Sequence, residues 1–145
     1  MDRQTEISCG GQSARPVFIR PDRVHLIWPH VEGLIERAFK HTGCAGSDAT
    51  KADVLDGKAL LWVLWDGLKP GIAAALVTKI TKPYDTKVCL LVACAGKGNW
   101  PVLIETIEDY ARLEGCTRVQ FHGRNGWKRA LRSYEQVGVI MEREI

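Results

Sequence analysis

The amino-acid sequence predicts an α/β domain, a mixed sheet with helices on both faces in the order β-α-α-β-β-β-α-β-α-β. Three observations predict it. The runs Leu60–Trp65, Ile72–Val77 and Val88–Cys94 are continuously apolar and are separated by the turn-forming stretches Asp66–Gly71 and Lys82–Asp85. That is the pattern of antiparallel strands covered on both faces. Before and after these runs, apolar residues recur at steps of three and four, as in helices that bury one side. Finally, the helical stretch starting at Trp100 lies between two strand-like segments, and a strand–helix–strand unit of this length makes a parallel pair with a right-handed crossover.

Residues 1–16 are expected to form a loose arm, because Gly10, Gly11, Ser13 and Pro16 interrupt any period; a single domain then runs over 17–145. Val17–Arg20 is a short strand. Val24, Ile27, Trp28, Val31, Leu34, Ile35, Ala38 and Phe39 form a helical stripe with Pro29 inside it, so a turn is expected first and the main helix from near Pro29, where a missing N–H does no harm. Gly43–Gly46 ends it, and Ser47, Asp48 and Thr50 can cap a short polar helix through Asp56. After the three apolar strands, Trp100–Gly115 carries Leu103, Ile104, Ile107, Tyr110 and Ala111 on one face. Glu105, Glu108, Asp109 and Arg112 lie on the other, with both glutamates read as solvated, and Gly115 supplies the C-cap. Arg118–His122 is the parallel strand. Trp127, Ala130, Leu131, Tyr134 and Val137 predict a last helix stopped by Gly138, and Val139–Ile145 alternates as a final strand.

The composition excludes several classes. With 145 residues, 46% of them apolar, and a net charge of +3 from 20 Lys+Arg against 17 Asp+Glu, the chain can bury a core without staples or metals. No stretch approaches the ~18 apolar residues of a membrane span, and no apolar signal core follows Met1–Glu6, so a cytoplasmic protein is expected. Cysteines at 9, 44, 89, 94 and 116 are odd in number and lack zinc-like spacing, which predicts free thiols and no metal. Basic residues are mixed with acids, and Trp28, Trp62, Trp65 and Trp127 fit apolar faces; both facts argue against a nucleic-acid module.

The segment richest in chemistry is Ala93-Cys94-Ala95-Gly96-Lys97-Gly98-Asn99-Trp100, a glycine-containing turn between an apolar strand and a helix. Bare amides at a helix start, aided by its dipole, suit a diphosphate, and an ordinary strand–helix turn is the plainer alternative. Its spacing matches neither G-x-G-x-x-G nor G-x-x-x-x-G-K-[ST], which removes the dinucleotide and nucleoside-triphosphate motifs.

Element order and this turn together resemble the GNAT-type N-acetyltransferase superfamily, whose signature [QR]-x-x-G-x-[GA] falls on Ala95–Trp100; its tail positions fall on Trp127, Ala130, Tyr134-Glu135 and Gly138-Val139. The resemblance implies a GNAT-like acyl-CoA N-acyltransferase fold and acetyl transfer from acetyl-CoA to an amine on a small molecule or protein. It implies a pantetheine arm beside Leu91, Val92 and Ala93, a pyrophosphate on the amides of Gly96, Lys97, Gly98 and Asn99, and Arg124 on a CoA phosphate. Tyr134 would be the acid that protonates the departing thiolate, and His122 the base. Tyr134 also lies on the stripe of its helix, where a packed tyrosine fits equally well.

The sequence departs from the family at Ala95, Trp100, Pro101 and Trp127, and only seven residues follow Gly138, room for one strand of ~23 Å where the family has two. An indole at 100 could fill the cofactor site, so a catalytically silent GNAT-fold structural or interaction protein is the alternative, with no acetyl-CoA bound. The tryptophan in the loop and the Gly123-Arg124-Asn125-Gly126-Trp127 turn resemble small GNAT-like proteins of tailed phages, some related to internal virion proteins. That resemblance implies a virion location and virion partners. An unpaired sheet edge would favour a homo-oligomer.

Overall fold

The computed structural model describes residues 15–42, 46–65, 71–123 and 126–145. Five strands, β1 (Val17–Ile19), β2 (Leu60–Trp65), β3 (Ile72–Thr81), β4 (Val88–Gly96) and β5 (Arg118–Phe121), form one sheet in sequence order. All neighbours are antiparallel except β4 and β5, which are parallel. Helices α1 (Val24–Thr42) and α2 (Ser47–Leu55) cover one face; α3 (Trp100–Leu113) and the short α4 (Trp127–Ala130) lie on the other.

Two-sided burial explains the continuous apolar runs. Leu61, Val63, Ala75 and Val77 meet Val24, Trp28, Val31 and Ile35 of α1, whereas the alternate residues Trp62 and Leu76, with Cys89 and Leu91, meet Ile104, Ile107 and Ala111 of α3. Thr78, buried on the α3 side, accepts a 3.0 Å hydrogen bond from the Trp62 indole, which satisfies both polar groups. Gly115, at φ +83°, ends α3 as expected; the Gly115 and Cys116 amides bond back to Arg112 and Ala111.

Five expectations are corrected. The long helix starts at Val24, after a 3₁₀ turn over Pro21–Arg23, and contains Pro29. Pro29 lies on the exposed side, and interrupting a helix costs ~3 kcal/mol. Burying Val24, Trp28, Val31 and Ile35, each at 2% exposure or less, outweighs this at roughly 1.5–3 kcal/mol per side chain.

The last helix stops at Ala130, and 139–145 forms no strand. Leu131 and Tyr134 still reach the α3-side core, but Val137 is 78% exposed; an alternating pattern becomes a strand only where a neighbour completes the ladder. Trp65 is 48% exposed, because the register shifts between Leu64 and Trp65. Finally, of the two acids expected in solvent, Glu105 is exposed as expected and pairs with Arg15 at 3.0 Å, whereas Glu108 is half-buried and accepts from Tyr134 at 2.7 Å. Of the expected arm, 1–14 lies outside the described residues, while Pro16 is buried and Arg15 also bonds Thr106 of α3.

Candidate functional site at the parting of β4 and β5

β4 and β5 are paired only from Val88 opposite Arg118 to Leu91 opposite Phe121. β5 ends there, whereas β4 continues through Gly96 towards α3. Past Leu91 the strands therefore part, and Val92–Gly96 forms one wall of a wedge headed by the N-terminus of α3. A β-bulge sits at this point: Val77 pairs with Ala93 and Thr78 with Leu91, leaving Val92 as the extra residue. Val92 and Ala93 consequently both pack against the α1-side core, and a bulge of this kind bends its strand.

A second bulge shapes the head of the wedge. Leu64 pairs with Ala74 and Trp65 with Ile72, so Ala73 is extra, and its carbonyl accepts the Lys97 amide at 2.8 Å. Gly96 passes so close to this bulge, at φ +113°, that a Cβ would collide with the Ala73 carbonyl and Ala74 Cα. A Cβ on Gly98 would meet Leu103 and Leu64 at 2.9 and 3.1 Å. Both glycines are thus required by the chain's own close approaches.

What remains for a ligand is the row of amides. Among the described residues, those of Gly98, Asn99, Trp100 and Val102 have no acceptor in the chain; Pro101 has no N–H, and the Asn99 carbonyl takes the first helical bond from Leu103 at 3.0 Å. They open a helix of 14 residues, whose dipole favours negative charge at that end. The exposed Lys97 side chain lies on the same loop. Of the four amides named from the sequence, Gly98 and Asn99 are open, Lys97 is engaged, and Gly96 belongs to β4.

On the α3 side, aromatic rings line the wedge. Trp100, half-buried, meets Trp127 edge-on with centroids 5.2 Å apart; Trp127 meets Phe121 at 5.5 Å, and Phe121 meets Tyr134 at 5.7 Å. Trp100 follows the β4 wall and Phe121 ends β5, so the Trp127 ring bridges the two sides. Gly123 makes room for it, since a Cβ there would meet Trp127 and Phe121 at 2.5 and 2.9 Å.

The Tyr134 hydroxyl donates to Glu108 Oε2, and its pKa is pushed up, chiefly by burial and then by the hydrogen bond to Glu108 and that group's charge. Tyr134 therefore holds its proton. Burial pushes the Cys94 thiol up to about 12 and, with a smaller contribution from Cys116, the Cys89 thiol likewise, which makes both weak nucleophiles. His122 is exposed one residue beyond β5, Leu91 and Ala93 are buried in β4 with Val92 between them half-buried, and Arg124 lies outside the described residues. Among the described residues, no three His, Cys, Asp or Glu side chains gather as a metal site, and no helix is long and apolar enough to cross a membrane.

No family model and no curated protein matches the chain. Solved structures do. An aminoglycoside acetyltransferase from an uncultured soil metagenomic sample aligns at TM-score 0.64 and 12% identity, covering 90% of this chain and 95% of that one. A GCN5-related N-acetyltransferase from Ralstonia eutropha JMP134 aligns at TM-score 0.63 and 16% identity, covering 90% and 97%. A ribosomal-protein-alanine N-acetyltransferase from Brucella melitensis biovar Abortus 2308 gives 0.57 and 11%, covering 90% and 94%. The chain has the GNAT-type N-acetyltransferase fold. Within the GNAT fold, sequence reasoning located the β4–α3 junction but missed the Val92 bulge, Gly123 and Glu108. Glu108 was findable: it stands four residues after Ile104 and three before Ala111, on the border of the buried stripe.

Proposed function

We propose that this GNAT-fold chain moves an acetyl group from acetyl-CoA to an amine. The observation that carries the reading is the head of the wedge, where amides without an acceptor among the described residues open a long helix beside an exposed lysine. These groups fit a diphosphate, by charge and by hydrogen bonding. The amides of Gly98, Asn99 and Trp100 would hold it, with Lys97 adding charge, Gly96 directing the chain out of β4, and Arg124 reserved for a further phosphate. The backbone of Leu91, Val92 and Ala93 would flank the pantetheine arm. When bound, acetyl-CoA supplies a thioester carbonyl open to attack by an amine. Tyr134 is protonated and can act only as a donor, and His122, exposed one residue beyond β5, is the candidate to take the amine's proton. The acceptor class is an amine-bearing small molecule or protein. Because one structural neighbour is an aminoglycoside acetyltransferase crystallised with sisomicin, aminoglycosides lead the amines to be tried.

The ring array favours a second reading. Trp127 bridges the wedge, Lys97 has spent its amide on Ala73, and Glu108 holds the Tyr134 proton; a chain that kept the fold as a structural or interaction part, a virion component included, would tolerate all three. Thermal melts separate the readings. Acetyl-CoA should raise the melting temperature in proportion to log concentration, and an amine panel should release free thiol. No shift at millimolar acetyl-CoA overturns the transferase reading.

A further inference from the structure

We propose that the indole N–H of Trp28 is the hydrogen-bond donor for the acyl carbonyl oxygen of acetyl-CoA, on the α1 side of the Val92 bulge. The inference rests on the transferase reading and gives the acyl group a partner on α1. Trp28 is 2% exposed, and its Nε1 has no acceptor among the described residues. Leaving a buried donor without an acceptor is costly, and native chains rarely do so. The opposite face of the sheet shows that the fold can supply one, since the Trp62 indole is satisfied by Thr78. On the α1 side every other side chain of the buried cluster is a hydrocarbon, so a phenylalanine would suit the position without orphaning a donor.

Place and chemistry identify the acceptor. Trp28 shares its cluster with Val92 and Ala93, and α1 packs over β3 and β4. Val92 and Ala93 are also where β4 has just parted from β5 and where its ladder with β3 is interrupted by the bulge. Rings line the wedge on the α3 side, so the α1 side, with Trp28, is the remaining wall for the end of a ligand held along Leu91–Ala93. An acetyl group consists of a methyl and one carbonyl oxygen that accepts and cannot donate, and an indole has one N–H that donates and cannot accept. Hydrocarbon walls with a single donor match that group. An ammonium would find nothing there to donate to, and a phosphate would bury its charge on one N–H. In such low-dielectric surroundings one hydrogen bond weighs more than it does in water.

The test follows the Trp28 indole proton of the full chain by NMR, beside calorimetric titrations with CoA and with acetyl-CoA. The resonance is assigned by its loss in Trp28→Phe or, should that variant not fold, by through-bond correlation in the wild type. Without ligand it should lie upfield, where indole protons without an acceptor resonate; CoA should leave it there, and acetyl-CoA should move it downfield. Trp28→Phe should weaken acetyl-CoA binding about five- to tenfold, the worth of one hydrogen bond, and leave CoA affinity unchanged. Acetyl-CoA that binds without moving the resonance overturns this inference and spares the transferase reading, whereas no binding of either ligand overturns both. A resonance already downfield without ligand marks a resident acceptor such as a buried water and overturns the inference, as does a shift with CoA alone or an equal weakening of both ligands.

Discussion

Trp100→Gly measures how far the ring array governs the wedge. Removing a fully buried tryptophan costs ~3–5 kcal/mol; Trp100 is half-buried, so about 2 kcal/mol applies, with up to ~1 more for glycine in the first helical turn. In a chain of this size each kcal/mol is worth roughly 2–4 °C, so the ligand-free variant should melt about 5–10 °C below the wild type. In the transferase reading acetyl-CoA should then restore most of that loss, since a ligand at a hundred times its Kd contributes about 2.7 kcal/mol. The variant should also bind more tightly, because entry no longer has to separate Trp100 from Trp127. An edge-to-face pair is worth ~0.5–1.5 kcal/mol, and 1.4 kcal/mol is tenfold in affinity, so the expected gain is two- to tenfold. Melts with and without acetyl-CoA, with calorimetric titration of both proteins, supply all four numbers. If the wild type binds more tightly than the variant, the indole is part of the binding surface and the reasoning from ring contacts is refuted.

Three further outcomes follow from the same geometry. Gly96→Ala should cost about 3 kcal/mol or more, because strain at positive φ and a clash with the β3 backbone add; a urea midpoint close to the wild type would show that the two strands can separate there cheaply. Tyr134→Phe leaves half-buried Glu108 without its donor and should lower stability by ~1–2 kcal/mol; in the transferase reading turnover falls as well while acetyl-CoA affinity holds, and unchanged turnover would confine Tyr134 to packing. Stability should also fall in alkali. Cys89 and Cys94 are raised from 9.0 to about 12, mainly by burial, so the unfolded thiols ionise first: the stabilisation is complete below pH 9 and is lost as pH rises towards 12, at about 1.4 kcal/mol per pH unit for each thiol. Tyr110, raised from 10.0 to about 12 mainly by burial, steepens the decline above pH 10. Urea melts across this range check the slope, which Cys94→Ala should reduce; a flat profile contradicts the burial argument.

The sheet was legible because two-sided burial writes itself into composition: β2, β3 and β4 are runs of Leu, Val, Ala and Trp that no one-sided strand could carry. α3 was legible for the same reason, with its stripe, its polar face and its Gly115 cap agreeing. The errors fall where local rules compete with tertiary contacts. Pro29 was weighed as a helix breaker, but the loss of one hydrogen bond on the solvent side is small beside four core side chains under it. The strand at 139–145 was read from alternation alone, which states what a segment would bury without stating that a partner is present.

The wedge itself shows why the chemistry of the site was harder to read than its address. Its geometry comes from two single-residue insertions, at Val92 and Ala73, and neither has a compositional signature, since valine and alanine are equally at home in a regular strand. The Ala73 bulge carries a carbonyl into the space beside Gly96 and takes the Lys97 amide, so a glycine that looked like a cradle for phosphate serves a contact between strands. Among the described residues, the amides left free begin at Gly98, within the glycine-containing turn between strand and helix that the sequence singled out. Trp127 was assigned to an apolar stripe and Trp100 was read as an indole that could fill the cofactor site, but 27 positions apart in the sequence they gave no sign of facing each other. That juxtaposition, made possible by Gly123, is what the Trp100→Gly titration measures.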